Sequence, residues 1–255
     1  MKMRNINLTI FSIFLIALIF LPIFCVDKYL SHPDIPWQLV PFGADSLSSH
    51  YKQQYAIMDA RPLFTHLSDT TKKVVNILVD GWGVPYDEHM IEEDFNFFAQ
   101  SDAFFSMHKR LLQYNAHIEN VEYRVGFEGG ILIENGDTST CAKKDINPGN
   151  HFKQTICCKD CDDVKTITML DSLIATQSFS KIAWTVHEPR DGDRKKLHKS
   201  LSSLSSLVTK HSDVQFIIQG THRPLLGPPE IRHKYLAHWA PAVFIHCSLT
   251  DLVEK

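Results

Sequence analysis

Three short polar runs in this chain carry residue types that hold anions or metals, and each follows a run of apolar residues. Asp80 ends Val74-Val75-Asn76-Ile77-Leu78-Val79 and is followed by Gly81-Trp82-Gly83. His187 to Asp193, with Glu188, Arg190 and Asp191 inside it, follows Ile182-Ala183-Trp184-Thr185-Val186. Thr221-His222-Arg223 follows Val214 to Ile218 and Gln219-Gly220. Branched apolar residues bounded by glycine and polar clusters predict buried strands. If those strands are parallel, the three polar runs gather on one sheet edge, where open α/β sheets bind their ligands. Carboxylate, imidazole and hydroxyl groups together suit a divalent metal with a bound anion. Such a site polarises phosphoryl or sulfuryl oxygens and deprotonates a nucleophile. A plainer reading stays open for each run, because Asp is also a turn former and strands in every α/β protein end in polar residues.

The elements that must position these residues are legible in outline. Glu92 to Tyr114 reads as one or two helices packed on the sheet through Phe95, Phe97, Phe98, Phe104 and Phe105. Residues 117–125 alternate as a strand does. Residues 163–176 read as a helix with Ile167, Leu170, Leu173 and Ile174 on one side, and 181–186 as a short strand. Leu197, Leu201, Leu204 and Val208 recur at helical spacing under a serine-rich outer face. Strands at 214–218 and 242–246 complete the pattern. Strands alternating with helices predict an α/β fold with a largely parallel sheet flanked by helices. Asp171 is a helix residue that could support the site from behind or lie in solvent.

The start of the chain bears on location. Residues 1–7 form a short region carrying Lys2 and Arg4, and residues 8–26 are nineteen uncharged, mostly apolar residues. That run is long enough to cross a bilayer core of about 30 Å. The basic flank predicts a cytoplasmic N-terminus and an extracytoplasmic (periplasmic, luminal or extracellular) main domain, hence a single-pass membrane protein. A cleaved signal sequence or lipidation at Cys25 are the other readings. Residues 27–70, with Pro33, Pro36, Pro41 and Pro62, read as a membrane-proximal segment, and 71–255 as the α/β domain.

Composition narrows the partners. With 44% hydrophobic residues, 22% charged residues and a net charge of -3, the chain is neither disordered nor suited to nucleic acid. Cys141, Cys157, Cys158, Cys161 and Cys247 are odd in number, so one thiol is left free or available to a partner chain. Export favours disulfides among them. Zinc binding, with His151 and Cys141 joining the Cys157 to Cys161 cluster, and a redox role stay open. The aspartates Asp160, Asp162 and Asp163 around the cluster oppose a stabilised thiolate.

The stretch Ile77-Leu78-Val79-Asp80-Gly81-Trp82-Gly83 resembles the metal-ligand strand that opens the alkaline phosphatase and sulfatase-like superfamily. Phe216-Ile217-Ile218-Gln219-Gly220-Thr221-His222-Arg223 stands where members carry an Asp-His-Gly triplet, and Pro241 precedes an apolar strand similar to their closing segment. The resemblance spans about residues 72 to 247 and implies a membrane-anchored, extracytoplasmic metal-dependent hydrolase or transferase of phosphate or sulfate esters. Asp80 and His222 would then hold a divalent metal, zinc first with manganese or calcium as alternatives, assisted by His187 or Asp193. A hydroxyl of Thr138, Ser139 or Thr140 would attack, and Arg190 or Arg223 would clamp the anion. The substrate would be a small molecule, glycan or lipid bearing phosphate or sulfate.

The chain also departs from that pattern. Thr221 replaces a metal-binding Asp and offers only a neutral oxygen. Lys195 stands where a ligand His is expected, with His198 about one turn later, and no Cys-x-Pro-x-Arg is present. These departures support the alternative expectation, a catalytically inactive sulfatase-like domain for binding or assembly.

Overall fold

The strand expected at 74–79 lies inside an eight-stranded sheet of order β1-β3-β8-β7-β2-β6-β4-β5. The strands are β1 (Ala56–Met58), β2 (Val74–Val79), β3 (Lys109–Gln113), β4 (Ile131–Asn135), β5 (Gln154–Cys158), β6 (Lys181–Val186), β7 (Gln215–Gly220) and β8 (Trp239–Ile245). The helices are α1 (Ser49–Gln54), α2 (Glu88–Ala99), α3 (Asp163–Thr176) and α4 (Arg194–Lys210). This computed structural model describes residues 47–58, 63–69, 71–100, 109–113, 131–135, 154–158, 162–176, 181–186, 193–224, 231, 234–236 and 239–249. All of them fall in the unit Asp45–Lys255; a separate unit covers Met1–Ala44.

Every residue of β2 is buried, as is every residue of β7, so neither shows the alternation of a half-exposed strand. β2 pairs in parallel with β6 on one side and β7 on the other, which brings Val79 level with Val186 and Gly220. The ends of β2, β6 and β7, which the three polar runs follow in the sequence, therefore lie on the same edge of the sheet.

The sheet as a whole is mixed, which corrects the expected largely parallel arrangement. β8 runs antiparallel to both its neighbours, β3 and β7. An apolar strand reads the same in either direction, so sequence carries no sign of this reversal. Pro241 is tolerated inside the sheet because the ladder from β8 to β7 stops at Ala242. The second helix anticipated within 92–114 is also corrected: Ala99 ends α2, and 109–113 is the strand β3. The strand expected at 117–125 lies outside the described residues.

One face of the sheet holds the main core. Val75, Ile77 and Val79 of β2, Phe216 and Ile218 of β7, and Leu111 of β3 meet apolar stripes from α2, α3 and α4. The stripes are Ile91, Phe95 and Phe98 from α2, Ile167, Leu170 and Ile174 from α3, and Leu197, Leu201, Leu204 and Val208 from α4, with the expected Phe97 and Leu173 partly buried against them. Asp193 is the N-cap of α4 and accepts from Lys195 N at 3.0 Å. At the other end of that helix, Asp171 of α3 accepts from Lys210 Nζ and bonds His211 Nε2, both at 2.6 Å. The Lys210 bond, with His211 beside it, holds the Asp171 carboxyl below the usual carboxylate range. Asp171 thus joins two helices and has no part in the strand-end cluster.

Among the described residues no helix is long and apolar enough to cross a membrane. Residues 8–26, where a span was expected, lie outside them. The expected anchor and the single-pass topology built on it therefore have no described helix behind them.

Among the described residues no disulfide stands behind the disulfide expectation: Cys247 is a free thiol whose Sγ donates to Phe216 O and Ile245 O. The cysteines expected to pair, Cys141 with one of Cys157, Cys158 and Cys161, have side chains outside the described residues. Burial pushes the Cys247 thiol up to about 12. At neutral pH its thiolate fraction is therefore roughly a thousandfold below that of a free cysteine. Cys247 is expected to react with a disulfide reagent only on unfolding. Stopped-flow labelling, in native buffer and in denaturant, checks this and tests whether the thiol is open to a partner chain.

Candidate functional site

The site is built where the turn after β2 lies on the turn after β7. Asp80 is 5% exposed and Thr221 is fully buried. Thr221 Oγ1 donates to Asp80 Oδ1 at 2.9 Å, and Thr221 N donates to Val79 O at 3.1 Å. Two backbone approaches set this geometry. A Cβ on Gly220 would sit 1.8 Å from Trp82 O, and one on Gly83 would sit 2.7 Å from Arg223 Cα. Each turn supplies a glycine under the other's backbone, which explains why both runs are glycine-flanked.

A buried polar network fixes the turn from behind. Trp82 is fully buried, and its Nε1 donates to Asp94 Oδ2 at 3.0 Å. Asp94, itself fully buried on α2, also accepts from Arg194 Nη2 at 2.8 Å and bonds His198 Nε2 at 3.0 Å. Burial pulls the Arg194 guanidinium down, but the charge of Asp94 and the hydroxyl of Tyr235 outweigh it and hold the group above its ordinary value. Trp82 meets Phe95 edge-on at 6.2 Å. A third segment closes the wall: Tyr86 N donates to Lys234 O, and Leu236 N to Val84 O. Tyr51 of α1 ties in by donating its hydroxyl to Pro85 O at 2.7 Å. Sequence reading placed the aromatics here as core. It did not find Asp94 or Arg194, whose link across about a hundred residues has no local signature.

His222 is half-buried, and its Nδ1 donates to Arg223 O at 2.7 Å. A carbonyl can only accept, so that bond puts a proton on Nδ1. Arg223 is half-buried beside Gly83. Of the sequence-named residues, Asp80, Thr221, His222 and Arg223 come together. Asp193 serves as a helix cap instead. His198, the nearest substitute for the missing ligand histidine, is committed to Asp94. Thr138, Ser139, Thr140, His187 and Arg190 lie outside the described residues.

The donor set does not fit the divalent metal that the resemblance implies. Among the described residues no group of three His, Cys, Asp or Glu side chains could hold a metal ion. The Asp80 oxygen that a shared cation would take accepts a threonine hydroxyl. A second carboxylate at position 221 would repel Asp80 and need a cation between them, whereas Thr221 satisfies it with a neutral donor. The expectation of zinc, manganese or calcium is corrected on that ground.

No family model matches the sequence, and no curated protein matches it. Solved structures do. A protein in the alkaline phosphatase superfamily from Vibrio parahaemolyticus is 12% identical at a TM-score of 0.48, covering 76% of this chain and 66% of that one. The lipoteichoic acid synthase LtaP from Listeria monocytogenes is 9% identical at a TM-score of 0.44, covering 73% and 68%. The C-terminal periplasmic domain of EcEptC from Escherichia coli is 8% identical at 0.46, covering 71% and 74%. Each is a likeness over roughly three quarters of this chain. What the chain does is argued from its own residues.

Proposed function

We propose that this chain is a sulfatase-like domain whose strand-end site has lost its chemistry and which serves in binding or assembly. The observation that carries this reading is the buried Thr221 to Asp80 hydrogen bond. It puts one carboxylate and a hydroxyl donor where the resemblance expects a cation-bridged carboxylate pair, and so joins two strand ends directly. Such a link holds the turns together without an ion between them. The Trp82–Asp94–Arg194 network serves the same end, since it locks the turn to α2 and α4. A rigid, closed strand edge is a scaffold for a binding surface.

The test is an ester-hydrolysis assay on the purified chain with p-nitrophenyl phosphate and p-nitrophenyl sulfate, in the presence of zinc, manganese or calcium. Turnover equal to that of Asp80→Ala and of His222→Ala is the expected result. Turnover that either substitution abolishes, in a variant that still folds, would overturn the reading.

A further inference from the structure

The sheet face opposite the main core carries polar side chains that the strand-end site does not use. Alternation puts Leu111 on the helix-covered face and therefore Arg110 on the other. Ile218 and Ile77 likewise place Gln219 and Asn76 on that second face. Register then aligns them. Gln219 and Arg110 both pair with Ala242 of β8, one from each side, and Asn76 sits diagonally beyond Gln219, opposite Ile217. Adjacent strands lie about 4.8 Å apart, so Arg110 and Gln219 are separated by about 10 Å with only a methyl group between them. Ala240, one pair further along that face, is also small.

All three groups are withdrawn from solvent: Arg110 is 5% exposed, Asn76 1% and Gln219 0%. Arg110 Nε and Nη2, Gln219 Nε2 and Oε1, and Asn76 Oδ1 have no hydrogen-bond partner. Buried polar atoms are nearly always paired, and a buried guanidinium is ordinarily paired with a carboxylate or phosphate. Here none of the described residues supplies one, and burial alone acts on the Arg110 guanidinium, pulling it down. Water could satisfy the amides but cannot balance the charge. Arg110 and Gln219 flank the same small residue, Ala242, from its two sides, and a forked donor with an amide nearby is an arrangement that recognises an oxyanion. The acceptors Gln219 Oε1 and Asn76 Oδ1 call for a donor beside it.

We propose that Arg110, Gln219 and Asn76 form an internal binding site for a small oxyanion, a phosphate or carboxylate group carrying a hydroxyl, on the sheet face beneath β8. Arg110 holds the anion through two N–H groups, Gln219 donates a further bond, and Gln219 Oε1 and Asn76 Oδ1 accept from the hydroxyl. The site is separate from the Asp80 to Thr221 link and stands whether or not that edge is inactive.

The experiment is thermal unfolding of the full chain titrated with inorganic phosphate, and in parallel with acetate and with lactate, each against chloride at equal ionic strength. Phosphate against the two carboxylates separates the anion types, and lactate against acetate reads the hydroxyl. A concentration-dependent rise in Tm of about 5 °C or more at saturation is expected with one of these anions. Arg110→Met is expected to melt above the wild type in chloride, because the unpaired charge is gone, and to show no anion-dependent rise. Gln219→Leu, which leaves the charge in place, is expected to weaken the anion's half-saturating concentration severalfold. No rise with any of the anions in the wild type, or an undiminished rise in Arg110→Met, would overturn the proposal.

Discussion

Gly220→Ala is expected to destabilise the domain by a large share of its folding free energy. The new methyl carbon would lie 1.8 Å from Trp82 O and 3.0 Å from Pro241 Cδ, and the first of these is backbone held by its own neighbours. Relief requires moving the end of β7 away from the turn after β2, which breaks the Thr221 N to Val79 O bond and the Thr221 to Asp80 bond together. Overpacking ordinarily costs about 1–3 kcal/mol, and the loss of a buried bond about 1–3 more. The combined loss, on the order of 4 kcal/mol, is a large share of the roughly 5–15 kcal/mol that holds a domain folded. Urea denaturation followed by tryptophan fluorescence measures it. A midpoint within error of the wild type would show that the two turns are not in contact.

The second large effect is expected at Asp94. Asp94→Ala removes the acceptor shared by Trp82 Nε1, Arg194 and His198, and leaves the guanidinium with Met90 O, the Tyr235 hydroxyl, His198 Nε2 and the exposed Glu93 carboxylate, none of them a buried counter-charge. Breaking a buried ion pair by deleting one partner costs about 3–5 kcal/mol. For a domain of this size that lowers Tm by roughly 10 °C. Asp94→Asn keeps an oxygen for Trp82 Nε1 and is expected to lose less than half as much. Removing both ends of the pair, in Asp94→Leu with Arg194→Met, is expected to recover part of the loss, since no charge is then left unmatched. Calorimetry on the set decides the matter. Equal melting of Asp94→Ala and the wild type would remove the network from any account of how the Asp80 turn is held.

Much of the fold was legible because its signals are local. The strand at 74–79, the helix at 163–176 and the strand at 181–186 emerge with the bounds their apolar patterns predict. The end of β7 was harder, because Gln219 and Gly220 read as a loop yet extend the strand. β3 was read as helix since Lys109 to Gln113 follows an aromatic helical stretch with no breaking residue between them. The reversal of β8 is a property of pairing partners, which one strand's sequence does not encode.

For the site, the juxtaposition of Asp80 with Thr221 and His222 followed from two strand ends in a parallel pair. The replacement of a ligand Asp by Thr221 was also visible. What sequence could not give was the meaning of that replacement, because it rests on a 2.9 Å contact between residues 141 apart. Asp193 misled for a related reason: an aspartate just before a helix fits both a metal loop and an N-cap, and only the Lys195 N bond separates them. The metal expectation rested on resemblance and did not survive, while the membrane and disulfide expectations rested on residues that lie outside the described ones.

The position of β8 has a consequence for biosynthesis. It is the last described strand to leave the ribosome, yet it alone joins the pair β1–β3 to the rest of the sheet. While residues 239–245 are still in the exit tunnel, the edge of β3 has no neighbour and β7 lacks the strand that covers it. The emerging domain is therefore two sheet fragments with open edges, the condition in which strands pair with the wrong chain. That exposure lasts until residues 239–245 clear the tunnel, so chaperone dependence in this protein should rise with any delay in their emergence.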